Sequence, residues 1–80
     1  MEKNFDSAAQ AVAASLRELI ANGGLLDGAR LVERDLADQF SVSRVPMREA
    51  IQRLAQEGLV EIHKNRGAVV KSLTKNDVEE

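Results

Sequence analysis

Two arginines one helical turn apart are the chain's clearest chemical feature. Arg44 and Arg48 lie in a segment with helical periodicity, and Gln52 follows one turn later. At about 100° per residue these side chains share one side of the helix, beside its apolar stripe. An arginine fork donates two hydrogen bonds to guanine O6 and N7 and also grips phosphate, and a glutamine amide matches adenine. The spacing predicts a surface for double-stranded nucleic acid; a solvated helix face is the alternative.

A second basic segment lies between two β-prone stretches, residues 59–63 and 68–72. It consists of Lys64, Asn65, Arg66 and Gly67. Glycine allows the positive φ that a tight turn needs, so the segment predicts the tip of a β-hairpin. Basic side chains at such a tip reach phosphates or the minor groove, where arginine is favoured. An ordinary polar turn is the alternative, but the position directly after the arginine-bearing helix favours a nucleic-acid contact.

Other polar residues do not form a catalytic or metal-binding pattern. His63 is the only histidine and cysteine is absent, so neither a disulfide nor a metal site is expected. His63 is either a surface residue at a strand end or a nucleic-acid contact. Glu33, Asp35 and Asp38 are expected to be solvated charges on a short helix. Without a glycine-rich phosphate loop, the chain is expected to be neither an enzyme nor the holder of a cofactor.

Three helices are expected to position these groups. Apolar residues recur at helical spacing over residues 7–22, 33–40 and 44–57. Ser7 and Ser43 are expected to cap the first and third helices through their hydroxyls. The connector between the second and third helices is too short for anything but a sharp turn.

The element order then predicts the fold. A short strand over residues 30–32 joins the three helices and the hairpin. The fold class is mainly α with a small β-hairpin, that is, a winged helix-turn-helix of three helices plus a wing. In this architecture the N-terminal end of the second helix of the motif enters the major groove. Arg44 and Arg48 occupy that end.

Length and charge are consistent with one small domain. The chain has 80 residues and a net charge of −2, but residues 28–72 carry eight basic and six acidic side chains. The excess of positive charge therefore lies where the motifs lie, which keeps attraction to phosphates local. No apolar run approaches the ~20 residues of a membrane span, and residues 1–6 lack a signal-peptide core. We expect a cytoplasmic protein without a membrane partner.

The expected domain covers residues 1–73. Residues 74–80 begin with a pattern that resembles a capping box. They predict the start of a linker helix that leads into a longer natural chain.

The motifs together resemble those of a known family. Residues 28–37 read Gly-Ala-Arg-Leu-Val-Glu-Arg-Asp-Leu-Ala, residues 42–51 read Val-Ser-Arg-Val-Pro-Met-Arg-Glu-Ala-Ile, and residues 65–70 read Asn-Arg-Gly-Ala-Val-Val. With Arg-Leu and Glu-Gly-Leu-Val between them, they closely resemble the GntR family of bacterial transcription regulators. The likeness covers about residues 10–78 and is closest to the branch named after the fatty-acid regulator FadR.

The resemblance implies a function and partners. It implies a winged helix that binds a palindromic operator as a homodimer, and a helical C-terminal domain that binds a small effector, often an organic acid and sometimes with a metal. It places DNA contacts on Arg34, on Arg44, Val45 and Arg48, and on the wing around His63 and Gly67. The chain is thus expected to be the DNA-binding domain of a metabolite-responsive repressor that acts in the bacterial nucleoid.

Three positions qualify what the resemblance implies. Val45 stands where many members have threonine, so an apolar contact with a thymine methyl replaces a hydroxyl contact. Val32 stands where members usually have a capping serine. Arg34 either contacts the phosphate backbone or pairs locally with Asp38 four residues on.

Two rival functions use the same fold. Family members fused to an aminotransferase-like domain usually continue the recognition helix with Ala-Tyr, where this chain has Glu-Ala-Ile at residues 49–51. A winged helix that binds only proteins favours an uncharged groove-facing surface, which Arg44 and Arg48 do not provide. Both alternatives are disfavoured.

Overall fold

Helices and strands follow one another in the predicted order. The computed structural model describes residues 3–64 and 67–71. Its elements are α1 (Lys3–Asn22), β1 (Arg30–Leu31), α2 (Glu33–Phe40), α3 (Arg44–Gln56), β2 (Val60–His63) and β3 (Gly67–Val70). The predicted winged helix-turn-helix of three helices and a small hairpin is confirmed. The expected helix start at residues 74–80 lies outside the described residues.

The first helix begins earlier than predicted. α1 starts at Lys3, so Ser7 lies inside the helix and the prediction that it caps the N-terminus is wrong. Serine has a weak preference against helix interiors that neighbouring residues readily override. The predicted stop is correct: Gly23 has a φ of 88°, and the amide of Leu25 donates to the carbonyl of Leu19 at 3.1 Å.

The turn between α2 and α3 is closed without a glycine. Ser41 adopts the left-handed conformation, with φ 56° and ψ 44°. The amide of Ser41 donates to the carbonyl of Asp38 at 3.2 Å, and the amide of Val42 donates to that of Ala37 at 3.0 Å. These two bonds are those of a Schellman motif, which satisfies carbonyls at the end of a helix and reverses the chain sharply. The turn thereby sets the direction in which α3 leaves α2.

The core lies around α3, which packs against α1, α2 and β2. Leu16, Met47 and Leu54 are fully buried and are the largest side chains in this state. The sheet contributes further apolar side chains, and Ala37 of α2, which packs against α3, is buried in the same core. Small residues at a helix crossing let the axes approach closely. Packing therefore holds α3 by one side and leaves its other side at the surface.

β3 is the middle strand of a three-stranded antiparallel sheet ordered β1-β3-β2. In the hairpin, Val60 pairs with Val70 and His63 pairs with Gly67. β1 adds to the other side of β3, with Leu31 opposite Ala68. The strand expected at residues 30–32 is present, and this pairing joins the start of α2 to the hairpin.

Candidate nucleic-acid interface

The exposed side of α3 carries the side chains that the helical wheel selects. Arg44, Val45, Arg48 and Gln52 are exposed, whereas Met47, Ala50, Ile51 and Leu54 are buried. Val45 is 50% exposed although it is apolar. The first two turns of α3 therefore present two guanidinium groups and one apolar side chain to the surroundings.

Ser43 is exposed and occupies the N-cap position of α3, as predicted, with φ −80° and ψ 171°. Its side chain makes no capping hydrogen bond, so the expected bond from its hydroxyl to a helix amide is not formed. Pro46 lies in the first turn and is buried. A proline in that turn removes an amide that has no partner within the helix, which lowers the need for a side-chain cap.

Arg48 is held by a carboxylate on the neighbouring helix. Its Nε donates to Oε2 of Glu33 at 3.0 Å, and its Nη2 donates to Oε1 at 3.3 Å. The hydrogen bond with Glu33 is the main reason that the pKa of Arg48 is raised above its ordinary value, and the attraction between the charges adds to it. Arg48 stays 55% exposed, against 28% for Glu33. The expectation that Glu33 is a solvated charge is wrong, because β1 and the α2–α3 packing bring it beside α3.

Arg34 and Arg44 differ from Arg48. Both are exposed. Within residues 3–64 and 67–71 neither takes part in a side-chain hydrogen bond or an ion pair. The pairing of Arg34 with Asp38, one of the two alternatives, is not formed. Their full positive charge is directed at solvent.

A cleft of about 390 Å³ lies between α3 and the hairpin. Arg48, Gln52 and Ile51 line it from α3, Ile62 and Gly67 line it from the hairpin, and Arg30 to Glu33 line it from β1 and the start of α2. It brings the recognition side of α3 together with the first residue of β3. Gly67 has a φ of 80°, which explains why a glycine stands there.

His63 and Lys64 lie at the other end of the hairpin turn and are exposed. Nε2 of His63 is 3.2 Å from Oε1 of Glu61, whose other carboxylate oxygen is 3.6 Å from Nζ of Lys71. Residues two apart on a strand share one face, which accounts for the contact between Glu61 and His63. His63 is thus a surface residue with an acidic neighbour, and its contact with DNA stays a prediction. Asn65 and Arg66 lie outside the described residues.

Two residues of this surface were not assigned to it from the sequence. Glu33 lies 15 positions from Arg48, and no periodicity connects two separate helices. Ile62 is 53% exposed on β2 and lines the cleft. Alternation along the β-prone segment predicts that Ile62 shares a strand face with Val60. Only the tertiary fold shows that Ile62 also lines a cleft.

In the described part of the chain no three His, Cys, Asp or Glu side chains are grouped so as to hold a metal ion. Among the helices of residues 3–64, none is both long enough and apolar enough to cross a membrane.

Comparisons with known proteins agree with this geometry. The model of the family "Bacterial regulatory proteins, gntR family" matches residues 8–70. The chain is 44% identical over 69 residues to the gluconate operon transcriptional repressor of Bacillus licheniformis, which is 86% of this chain and 28% of that protein. It is 47% identical over 64 residues to the Exu regulon transcriptional regulator of Escherichia coli, covering 79% of this chain and 25% of that protein.

A solved structure gives the same fold. A putative transcriptional regulator GntR from Rhodococcus sp. RHA1 superposes with a TM-score of 0.82 at 40% identity, covering 90% of this chain and 35% of that one. The chain spans less than a third of the length of the first curated relatives that it matches.

Proposed function

Because the chain belongs to the gntR family of bacterial regulatory proteins, we propose that it reads the sequence of double-stranded DNA for a transcription regulator. The first turns of α3 enter the major groove, and the hairpin reaches the adjacent minor groove or the phosphates. The observation that carries the proposal is the pair of exposed guanidinium groups, Arg44 and Arg48, one turn apart at the start of α3.

The side chains divide into two kinds of contact. Arg44 and Arg48 are assigned to base edges and Val45 to a thymine methyl, because these chemistries distinguish base pairs in the major groove. Arg34 and Ser43 at the helix starts, and His63, Lys64, Asn65, Arg66 and Gly67 on the hairpin, are assigned to phosphates, sugars or the minor groove. Contacts of the second kind set the register of the protein on the duplex.

The intact regulator is proposed to act as a homodimer in the bacterial cytoplasm. One short recognition helix reads few base pairs, and a dimer doubles the contacts on an inverted repeat. Two features stand on the family alone: a small-molecule effector bound by a C-terminal domain, and repression as the direction of regulation, as in the gluconate repressor named above. No catalytic step and no cofactor is assigned to this chain.

Selection of duplexes from a random pool by the 80-residue chain tests the proposal. We expect enrichment of a short motif, alone or as an inverted repeat, with affinity that falls steeply as salt rises. The double variant Arg44→Ala/Arg48→Ala should enrich no motif, whereas Arg17→Ala, which removes an arginine paired with Glu57 just after the C-terminal end of α3, should enrich the same motif as the unaltered chain. Absence of binding at low salt would refute the proposal.

A further inference from the structure

Glu33 uses only part of the hydrogen-bonding capacity of Arg48. A guanidinium group carries five N–H donors. The contact with Glu33 is made side-on, through Nε and one N–H of Nη2. Three donors remain, and two of them, one on Nη1 and one on Nη2, lie along the edge that matches guanine O6 and N7. Arg48 can therefore keep its contact with Glu33 while its outer edge reads a base.

The position of Glu33 is well determined by the fold. It is the first residue of α2 and follows Val32, which makes no side-chain cap. β1 ends at Leu31, two residues before Glu33, and is paired with β3, so the sheet fixes where the helix begins. The positive end of the α2 dipole also favours a negative charge at this place. These constraints hold the carboxylate, which in turn restricts the rotamers of Arg48.

The carboxylate also changes what Arg48 can bind. Phosphate contacts depend on net positive charge and are independent of sequence, whereas base contacts depend on the direction of individual hydrogen bonds. A carboxylate at 3.0 Å offsets most of the guanidinium charge seen by a phosphate, and its own charge repels the phosphate. The directed donors on the outer edge are unaffected.

We propose that Glu33 is a specificity-determining positioning residue, which holds Arg48 in the orientation that reads guanine and suppresses its attraction to phosphate. The proposal rests on the DNA-reading function above. Under this proposal the arginines have different roles. Arg34 and Arg44 keep their full charge, whereas Arg48 contributes to discrimination between sequences more than to general affinity.

The test compares Glu33→Gln with Asp35→Asn. Both changes remove one negative charge from the first turn of α2 and keep the shape of the side chain, but Asp35 is exposed and does not contact Arg48. Affinities are measured for the duplex selected above and for a shuffled duplex of equal length, over a range of salt concentrations.

We expect Glu33→Gln to bind the shuffled duplex about fivefold more tightly than Asp35→Asn does, with a salt slope steeper by about one unit, as for one added phosphate contact. Affinity for the selected duplex should change little, because the lost orientation of Arg48 offsets its added attraction to phosphate, so the ratio of specific to non-specific affinity falls. Equal ratios in the two variants would overturn the proposal. If the unaltered chain itself does not distinguish the two duplexes, the proposed DNA-reading function is refuted. That outcome differs from equal ratios in the two variants, which would refute only the role of Glu33.

Two further measurements show whether Glu33 acts through Arg48. In an Arg48→Met background, Glu33→Gln should have no more effect than Asp35→Asn; a larger effect would overturn the proposal. In the DNA-free protein, the Nε–H proton of Arg48 should exchange slowly by nuclear magnetic resonance in the unaltered chain and in Asp35→Asn, and rapidly in Glu33→Gln. This readout needs no DNA, and rapid exchange in the unaltered chain would also refute the proposed contact.

Discussion

Two bidentate arginine–glutamate pairs lie on opposite sides of α3 and have nearly the same geometry. Arg17 of α1 donates from Nε and Nη2 to the two carboxylate oxygens of Glu57, each at 2.9 Å. Arg48 donates from the same two atoms to Glu33 at 3.0 and 3.3 Å. The first pair joins α1 to the C-terminal end of α3, whereas the second joins the N-terminal turns of α2 and α3.

The surroundings, not the pairing chemistry, set what each pair does. Surface ion pairs contribute little to folding stability, because solvent screens them and ordering two long side chains costs entropy. At Arg17 this small contribution is all that the pair offers, since the α1–α3 contact is already held by buried residues such as Leu16 and Leu54. At Arg48 the same geometry lies beside a cleft and two exposed arginines. There, even the small energy of the ion pair changes which N–H donors of Arg48 face a ligand.

The largest expected effect comes from the buried side of α3, which supports both arginine–glutamate pairs. Leu54→Ala removes a fully buried side chain and should cost about 2–5 kcal/mol of unfolding free energy, from lost burial and the cavity left behind. Because a domain of this size has only about 4–12 kcal/mol in total, both regions should be disrupted. Urea denaturation followed by circular dichroism measures the change. The exposed Gln56 of the same helix is the control: Gln56→Ala should shift the free energy by less than about 0.5 kcal/mol, and an equal loss in both variants would contradict the assignment of the core.

Replacement of each arginine in turn compares the two pairs for their effect on DNA binding. Arg48→Ala should weaken binding to the selected duplex roughly 10- to 100-fold and relax specificity at one base position. Arg17→Ala, its matched control, should leave DNA affinity within about twofold. Fluorescence anisotropy with the selected and shuffled duplexes measures both. An equal loss on the two duplexes in Arg48→Ala would mean that Arg48 only contacts phosphate.

Two glycines with positive φ allow the same comparison for the backbone. Gly67 in the hairpin has φ 80° and Gly23 after α1 has φ 88°, and a Cβ would meet no atom closer than 3.9 Å at either position. Alanine at each site should therefore cost about 1–2 kcal/mol of unfolding free energy through backbone strain alone. Only Gly67→Ala is expected to weaken DNA binding further. Thermal unfolding and anisotropy on both variants test this, and an equal effect on binding would remove the wing from the interface.

The smallest expected effect is the pH dependence of the Arg17 pair. The hydrogen bond with Arg17 lowers the pKa of Glu57 below its ordinary value of 4.5 in the folded chain. The folded state therefore binds this proton less readily than the unfolded chain does. The stabilisation is present above pH 4.5 and is lost as the pH falls through the lower, folded pKa.

The variant Glu57→Gln lacks this proton equilibrium. Its urea midpoint should be slightly lower at neutral pH and should fall less on acidification than that of the unaltered chain. Arg17→Gln should show the same reduced pH dependence, because it removes the other partner. A parallel fall in all three proteins would show that the pair contributes nothing measurable.

Much of the local structure could be predicted because its causes are local. The bounds of α2 agree with the prediction, and α3 differs only at its last residue, because helical periodicity and the glycine at position 58 act over one or two turns. The side of α3 that bears Arg44 and Arg48 follows from the same periodicity. α1 starts four residues before the predicted position, because a serine can occupy a helix interior as well as an N-cap.

The order of the elements, the class of fold and the polar face of α3 therefore follow from the amino-acid sequence alone, since each depends on neighbours a few residues apart. Three features depend on tertiary packing instead: β1 pairs with β3, Glu33 contacts Arg48, and Ile62 and Gly67 line a cleft with α3. Such contacts join residues 10 or more positions apart, so no periodicity along the chain encodes them. They arise because burial of the core sets the angles and distances at which the helices and the sheet meet.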